Sequence, residues 1–541
     1  MTMTGGELLL DLIENNGIEY IFCSPGTEWA PVWEGLVKRQ SAGKQVVKYI
    51  NCRHETLAVS MAQGYFEASG KMAAVLLHSG VGALNGSMAM RNAYFAHAPM
   101  LIISGETYAH SSGEDIRPQG WHWLGLLSDI GGPSALVKGY VKWTNSIRSK
   151  DGLIDLVERG CRIAQAPAPG PVFLTVSPEL LAKDFPDQKL ISTIHSPIRF
   201  ELPSKGLEQA AELLITSQWP MILTEYAGRT PQAVAKLVKL AELLSIPVFE
   251  FFAFFGNFPK DHPLYQGYDA LQPLQEADVV LVVGSTLPWY PPAACLRESV
   301  KVILLDEDSL HQNLPQWGYH IDLPLTVDIE PALEALIGII QSKLVQSQTL
   351  DAAIKSRFAM WKPKHEKMLN DWQTETTSDQ NKKPIAARWL LNRLYETLPG
   401  DTVFVDETII HTRFVHRYLG NPDRYFRPTY GGLGIGFGEA VGVKLARPDK
   451  PVALIIGDGT FFYNPSLAGL GLCQEYTMPL LIVIADNGGY IAMRMGYHQL
   501  FPKGAAVTSN TYLGVDITPA PDYVKLAEAF GAYGEKVEDP A

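Results

Sequence analysis

The chain has 541 residues, of which 46% are hydrophobic and 19% are charged, so its length accommodates about three globular domains with sizeable cores. The formal net charge of −12 argues against nucleic acid or an anionic membrane as a partner. Five dispersed cysteines without metal-type spacing indicate reduced thiols, and no apolar run approaches the roughly 20 residues that span a bilayer. The acidic, amphipathic amino-terminal run MTMTGGELLLDLIENNG is unlike a signal peptide, so we predict a cytoplasmic protein.

The amino-terminal third alternates short apolar strands with helices. Strands are predicted at 20–23, 45–50, 73–77 and 100–104, and a helix with an apolar stripe is predicted over 56–69. This order predicts a parallel, doubly wound α/β domain over 1–183. Three of its strands end in polar or glycine-containing turns: Pro25-Gly26-Thr27, Arg53-His54-Glu55 and His78-Ser79.

The middle of the chain repeats the alternation and predicts a second α/β domain over 190–340. Gly284-Ser285-Thr286 follows a predicted buried strand at 278–284, where a nucleotide could bind. The charged, polar stretch 341–383 is interpreted as a linker that contains a helical piece around 359–372.

The last predicted domain, 384–541, carries two polar strand ends. A strand at 451–456 breaks into Gly457-Asp458-Gly459, and a strand at 480–485 ends in Asp486-Asn487-Gly488-Gly489. Ligands of open α/β sheets bind beyond such strand ends, and hard oxygen ligands such as those of Asp458 and Asn487 suit Mg²⁺. Backbone N–H groups of Gly459 and Thr460 could hold a phosphate. The residues therefore predict a Mg²⁺-diphosphate site, with a tight turn capped by Asp458 as the alternative.

The order strand–GDG–helix–strand–Asn resembles the diphosphate-anchoring motif of thiamine diphosphate (ThDP) enzymes. The separation from Asp458 to Asn487 is 487 − 458 = 29, and Asp486 replaces the first Asn of the usual pair. The resemblance implies that Asp458, Asn487 and the carbonyl of Gly489 bind Mg²⁺. It implies further cofactor contacts from Pro25, Glu407, Gly431, Leu433, Gly459, Thr460, Tyr490 and Ile491.

The stretch that begins Arg53-His54-Glu55 resembles the segment that carries the catalytic glutamate of this family. Glu55 would hydrogen-bond the cofactor's aminopyrimidine and favour the tautomer that deprotonates C2; a carboxylate in the first helical turn is the structural alternative. His78-Ser79 and Pro25-Gly26-Thr27 resemble benzoylformate decarboxylase, which implies proton transfer by His78 and substrate-carboxylate contact by Thr27. His122 is a further catalytic candidate, and a packed loop histidine is its alternative.

The resemblance implies three doubly wound domains and a ThDP- and Mg²⁺-dependent 2-oxo acid decarboxylase/carboligase that acts through a ThDP-bound enamine. It also implies a small-molecule 2-oxo acid substrate, an aldehyde or ketone acceptor, and a homodimer or homotetramer. An acetolactate synthase-like carboligase, with or without FAD, is one alternative. A ThDP-dependent C–C lyase or oxidase and a non-catalytic ThDP-binding protein are the others.

Three features depart from the relatives that these motifs resemble. No histidine lies near Tyr290, where benzoylformate decarboxylase has one. The run IIHTRFV stands where acetohydroxyacid synthases carry a GQHQMW-like sequence. The carboxy-terminal end is expected to be shorter than in those relatives.

Overall fold

The computed structural model describes residues 2–106, 127–186, 199–292, 296–297, 299–345 and 349–540. It contains two compact units, the first made of Met1–Ile198 with Pro428–Glu535 and the second of Arg199–Arg427 with Lys536–Ala541. No helix among the described residues combines the length and the apolar character needed to cross a bilayer.

The first unit contains a six-stranded sheet whose neighbouring strands are all parallel. The strands of this part of the chain are β1 (Thr2–Thr4), β2 (Tyr20–Cys23), β3 (Lys48–Asn51), β4 (Ala73–Leu77), β5 (Met100–Gly105), β6 (Trp143–Ile147), β7 (Pro171–Val176) and β8 (Asp184–Pro186). The order across the large sheet is β3-β2-β4-β5-β7-β6, while β1 pairs antiparallel with β8. Strands β4, β5 and β7 are buried along their whole length, as expected when helices cover both faces of a parallel sheet.

Seven helices of the described residues accompany these strands, and local capping signals mark ends of α1 and α3. The seven helices are α1 (Gly5–Asn15), α2 (Ala30–Ser41), α3 (Glu55–Ser69), α4 (Gly80–Phe95), α5 (Pro133–Val137), α6 (Lys150–Gln165) and α7 (Pro178–Ala182). Helix α1 starts in a capping box of Thr4 and Glu7, and α3 stops at Gly70 with φ of +71°. The predicted strands at 20–23, 73–77 and 100–104 are confirmed, whereas β6 was not predicted.

The second unit is built around a five-stranded parallel sheet in the order β10-β9-β11-β12-β13. Its strands are β9 (Pro220–Thr224), β10 (Val248–Phe249), β11 (Val279–Val283), β12 (Lys301–Asp306) and β13 (Leu323–Thr326), followed by the parallel pair β14 (Val403–Glu407) and β15 (Tyr425–Phe426). Its helices are α8 (Ser204–Thr216), α9 (Pro231–Leu244), α10 (Leu271–Glu276), α11 (Ile329–Leu344), α12 (Thr349–Ser378), α13 (Ala387–Thr397) and α14 (Thr412–Leu419).

The interpretation of 341–383 as a linker with a short helical piece is wrong in extent, because α12 is a 30-residue helix. Its charged residues form pairs on the solvent side, such as Lys367 with Asp371. Arg357, Trp361 and His365, spaced four residues apart, are buried on the other side. The polar composition concealed this narrow buried stripe.

The carboxy-terminal part of the first unit carries the second half of the motifs. It consists of α15 (Gly436–Ala446), β16 (Val452–Gly457), α16 (Asp458–Tyr463), α17 (Ser466–Glu475), β17 (Leu481–Ala485), α18 (Ile491–Leu500), α19 (Ala505–Ser509) and α20 (Tyr523–Ala529). Strands β16 and β17 pair in parallel with Gly457 opposite Ala485, so their carboxyl ends lie side by side.

Helices α3 and α15 cross in direct backbone contact. A Cβ atom added at Gly64 would lie 2.1 Å from the carbonyl oxygen of Glu439, and one added at Gly442 would lie 2.2 Å from that of Met61. Only glycine fits at either position, because any side chain would force the two helices apart. The backbone itself therefore sets the distance between these helices.

Candidate functional site

His78, directly after β4, pairs its imidazole with the buried carboxylate of Glu28, which lies in a short 3₁₀ helix (Thr27–Trp29) after β2. The Nδ1 atom of His78 lies 2.7 Å from Oε1 and 3.0 Å from Oε2 of Glu28. The hydrogen bond that Nδ1 donates to the Glu28 carboxylate raises the pKa of His78, although burial of the ring opposes this shift. Because Nδ1 faces the carboxylate, Nε2 is the ring nitrogen left for proton transfer, and 37% of the His78 side chain is exposed.

The surroundings of Glu28 hold its carboxylate in one place. Glu28 is only 1% exposed. A Cβ atom at Gly26 would lie 2.4 Å from its Oε2, and one at Gly105 would lie 2.7 Å from its Oε1. The neighbouring Trp29 donates from Nε1 to the carbonyl of Leu77 at 3.1 Å. Glu28 is thus packed between two glycines, an arrangement that fixes the orientation of the His78 ring.

Glu55, the predicted catalytic carboxylate, is the first residue of α3 and is half-buried. Its Oε2 accepts a hydrogen bond from Nδ2 of Asn85, on α4, at 2.5 Å. Gly82 lies between the two catalytic candidates: a Cβ atom there would be 3.1 Å from Cβ of His78 and 3.6 Å from Oε1 of Glu55. The structure therefore brings Glu55 and His78 together at the amino-terminal turn of α4.

The other residues of the Arg53-His54-Glu55 run position this carboxylate. His54 caps α3, its Nδ1 accepting from the amide of Thr56 at 3.2 Å. Arg53 has φ of +61° and forms an ion pair with Glu475 at 2.5 Å. The left-handed conformation of Arg53 turns the chain from β3 into α3, and its ion pair anchors that turn to α17.

The predicted metal ligands converge at the ends of β16 and β17. The amide N–H of Gly489 points to Oδ2 of Asp458 at 3.0 Å and to Oδ1 of Asn487 at 3.2 Å. Oδ1 of Asp458 accepts from the amide of Gly459 at 2.8 Å. Asp458 is 2% exposed, and burial raises the pKa of its carboxyl. A carboxylate oxygen and an amide oxygen thus share one donor.

Further predicted cofactor-binding residues are Gly459, in the first turn of α16, and Gly431 and Leu433, in the loop before α15. Gly459 packs against Tyr490, since a Cβ atom there would lie 2.5 Å from Cε1 of the ring. Gly431 has φ of +67°, which favours glycine, and Leu433 is half-buried. The loop of these two residues, 428–435, lies against α4, because the carbonyl of Tyr430 accepts from Arg91 Nη1 at 2.8 Å.

The remaining predicted residues lie as follows. Pro25 and Thr27 are exposed beside Glu28, and Ile491 begins α18. Glu407 is buried at the end of β14 in the second unit. Position 122, predicted as a catalytic His122, lies outside the described residues. The sequence reasoning missed Glu28 and Asn85, whose partners are 50 and 30 residues away in the chain.

Three models of one enzyme family match this chain in order. They are described as thiamine pyrophosphate enzyme, N-terminal TPP binding domain (residues 3–125), central domain (207–336) and C-terminal TPP binding domain (410–541). The chain belongs to the thiamine diphosphate-dependent enzymes. It is therefore a ThDP-binding α/β protein, an enzyme of decarboxylation or carbon–carbon bond formation, as the motifs predicted.

Relatives of this ThDP enzyme include both reaction types. It is 25% identical to the acetolactate synthase large subunit of Haemophilus influenzae, over 99% of this chain and 90% of that protein. It is also 25% identical to a "Probable 2-ketoarginine decarboxylase" of Pseudomonas aeruginosa, with the same coverage.

Two solved structures share the fold of this ThDP enzyme. The 4-hydroxybenzoylformate decarboxylase of Rhodococcus jostii RHA1 has a TM-score of 0.77 at 23% identity, covering 99% of this chain and 94% of that chain. The benzoylformate decarboxylase of Polynucleobacter necessarius has a TM-score of 0.77 at 21% identity, with the same coverage. At this identity the likeness establishes the fold.

Proposed function

We propose that this ThDP enzyme is a Mg²⁺-dependent 2-oxo acid decarboxylase/carboligase of the benzoylformate decarboxylase type. The observation that carries the proposal is the meeting of Glu55 and His78 on either side of Gly82. A carboxylate and an imidazole at one place provide for cofactor activation and for proton transfer to a reacting carbon.

The residues at the ends of β16 and β17 fit a Mg²⁺ ion and a diphosphate. Asp458, Asn487 and the carbonyl of Gly489 would supply hard oxygen ligands, and the side-chain oxygens of the first two both accept from the amide of Gly489. Gly459 packs directly against the ring of Tyr490, and any residue with a side chain at position 459 would collide with that ring. Thr460, Tyr490 and Ile491, which are close in sequence to these ligands, are the further cofactor contacts that we propose.

Bound ThDP supplies an electron sink for the loss of CO₂. Glu55 accepts a hydrogen bond from Asn85 through Oε2, so Oε1 is the oxygen that would hold a proton at the aminopyrimidine ring of bound ThDP. His78, fixed through Nδ1 by Glu28, holds or delivers a proton at Nε2. Thr27, exposed at the same strand end, is the proposed contact of the substrate carboxylate.

A second copy of the chain is the proposed partner, in a homodimer or homotetramer. Val81, Leu84 and Met88 on α4 are 56%, 55% and 44% exposed, and their spacing puts them on one helical face. This apolar stripe lies beside Asn85 and therefore beside Glu55. Exposed apolar surface next to a catalytic carboxylate supports its burial against another subunit. Leu84→Glu is expected to lower the mass measured by sedimentation and to abolish turnover.

A panel of aliphatic, aromatic and cationic 2-oxo acids, with ThDP and Mg²⁺, tests the reaction. Release of CO₂ with formation of the matching aldehyde supports the decarboxylase. Acetolactate from pyruvate alone would favour instead the acetolactate synthase-like carboligase, a second candidate that the Haemophilus relative supports. Failure of every acid to release CO₂ from ThDP-loaded protein would refute both.

A further inference from the structure

The sheet of the second unit has a topological switch point, and polar residues crowd it. In chain order the strands β10-β9-β11-β12-β13 read 2-1-3-4-5, so the direction of winding reverses between β9 and β11. Ligands of such sheets bind in the crevice beyond the carboxyl ends of the two strands that flank the switch. Glu225 follows β9 directly, and Gly284-Ser285-Thr286 follows β11. This is the segment that the sequence predicted as a nucleotide border.

The carboxylate of Glu225 occupies the hydrogen-bond donors of this crevice. Its Oε2 accepts from Oγ of Ser285 at 3.0 Å, from the amide of Thr286 at 2.7 Å and from the amide of Leu287 at 3.0 Å. Glu225 is fully buried. Two successive amides and a hydroxyl are the kind of donor set that binds a phosphate oxygen in this fold. Here Oε2 of Glu225 accepts hydrogen bonds from all three of these donors.

Two further acidic residues, Asp306 and Glu307, lie at the carboxyl end of β12, at the same edge of the sheet. Asp306 accepts from the hydroxyl of Tyr226 at 2.5 Å, and burial raises the pKa of its carboxyl. Glu307 forms an ion pair with Nη2 of Arg229 at 2.7 Å, whereas Nη1 of that guanidinium is buried and has no hydrogen-bond partner among the described residues. A phosphate brought to the donors of Ser285, Thr286 and Leu287 would meet the carboxylate of Glu225, and like charges repel strongly in a buried site.

The backbone of the crevice is also closely packed. The amides of Glu225 and Tyr226 both donate to the carbonyl of Gly284 at 3.0 Å, which joins the ends of β9 and β11. A Cβ atom at Gly284 would lie 2.8 Å from Cδ1 of Ile329 and 3.1 Å from the ring of Tyr226. A phosphate oxygen could therefore reach the donors of Ser285, Thr286 and Leu287 only by displacing the carboxylate of Glu225.

We propose that the carboxylate of Glu225 takes the place that a phosphate group would occupy, and that it thereby prevents the second unit from binding FAD or adenine nucleotides. The enzyme then works with ThDP and Mg²⁺ alone, which separates it from the FAD-containing alternative. This inference concerns the second unit and does not depend on which reaction the ThDP site catalyses.

The test compares full-length wild type with Glu225→Ala and Glu225→Gln, each saturated with ThDP and Mg²⁺ so that the diphosphate site is filled. FAD, ADP and inorganic phosphate are titrated by calorimetry, and bound FAD is also read from its visible absorbance after gel filtration. The wild type is expected to bind none of them stoichiometrically. Glu225→Ala is expected to bind phosphate or ADP at least about tenfold more tightly than the wild type, because the three donors are released.

Glu225→Gln serves as the matched control, since its carboxamide oxygen can accept the same hydrogen bonds and fill the same space. It is expected to behave as the wild type. Stoichiometric binding of FAD or ADP by the wild type would overturn the proposal. So would a folded Glu225→Ala protein, with wild-type ThDP affinity, that gains no affinity for phosphate. If Glu225→Ala does not fold, the titrations of the wild type and of Glu225→Gln decide.

Discussion

The hydrogen bond from Asn85 to Glu55 makes a quantitative prediction about cofactor activation. Asn85→Ala removes the donor at 2.5 Å from Oε2 and lets the Glu55 carboxylate rotate. A hydrogen bond to a charged group contributes about 1.5–3 kcal/mol, and 1.4 kcal/mol corresponds to a factor of ten. Because Asn85 is exposed in the single chain, the lower end applies, and we expect activation to slow about tenfold.

The exchange of the ThDP C2 proton with deuterium, followed by NMR on the loaded enzyme, measures this step without a known substrate. Glu55→Gln is expected to slow the exchange about 100-fold or more, in the range of general acid–base catalysis. Asn85→Ala in the Glu55→Gln background should cost much less than in the wild type, because the charged acceptor has already gone. Ser87→Ala, two residues along α4, removes only a bond to the carbonyl of Leu84 and is the control. Equal effects of Asn85→Ala in both backgrounds would refute the reasoning.

Three other predictions concern the metal site, the histidine and the helix crossing. Asp458→Ala should abolish Mg²⁺-dependent ThDP binding in a fluorescence titration, whereas Asp486→Asn should retain it; loss in both would contradict the assigned ligands. The pKa of His78 is raised, so its ion pair with Glu28 stabilises the fold fully at a pH below 6.5, the ordinary pKa of histidine. This stabilisation is lost as the pH rises through the raised pKa of His78. His78→Gln should therefore lower the melting temperature more at pH about 5.5 than at pH about 9, and a pH-independent loss would count against the ion pair. Gly442→Ala should destabilise the protein by about 1–3 kcal/mol or more in urea unfolding, because its Cβ would meet backbone, and an unchanged midpoint would disprove the close contact.

The strand ends proposed to carry the chemistry could be predicted from the sequence, because each combines a buried apolar run with a local break. Asp458 and Glu55 lie where those breaks predicted, at the first residues of α16 and α3. Glu28 and Asn85 could not be found in this way. Each is defined by a partner that only the folded sheet brings near, and each looks locally like an ordinary helical or turn residue. The role of Glu225 was hidden for the same reason, since its donors lie 60 to 62 residues further along.

The close backbone contact between α3 and α15, at Gly64 and Gly442, limits which substitutions can change the substrate range of the enzyme. Glu55 is the first residue of α3, and the loop that contains Gly431 and Leu433 ends where α15 begins. The main-chain contact between α3 and α15 therefore fixes the position of Glu55 relative to this loop. No enlargement or trimming of pocket side chains alters that alignment. Libraries that vary Thr27 or Leu433 should therefore yield folded enzymes with new substrate ranges, whereas libraries that randomise Gly64 should return almost only glycine.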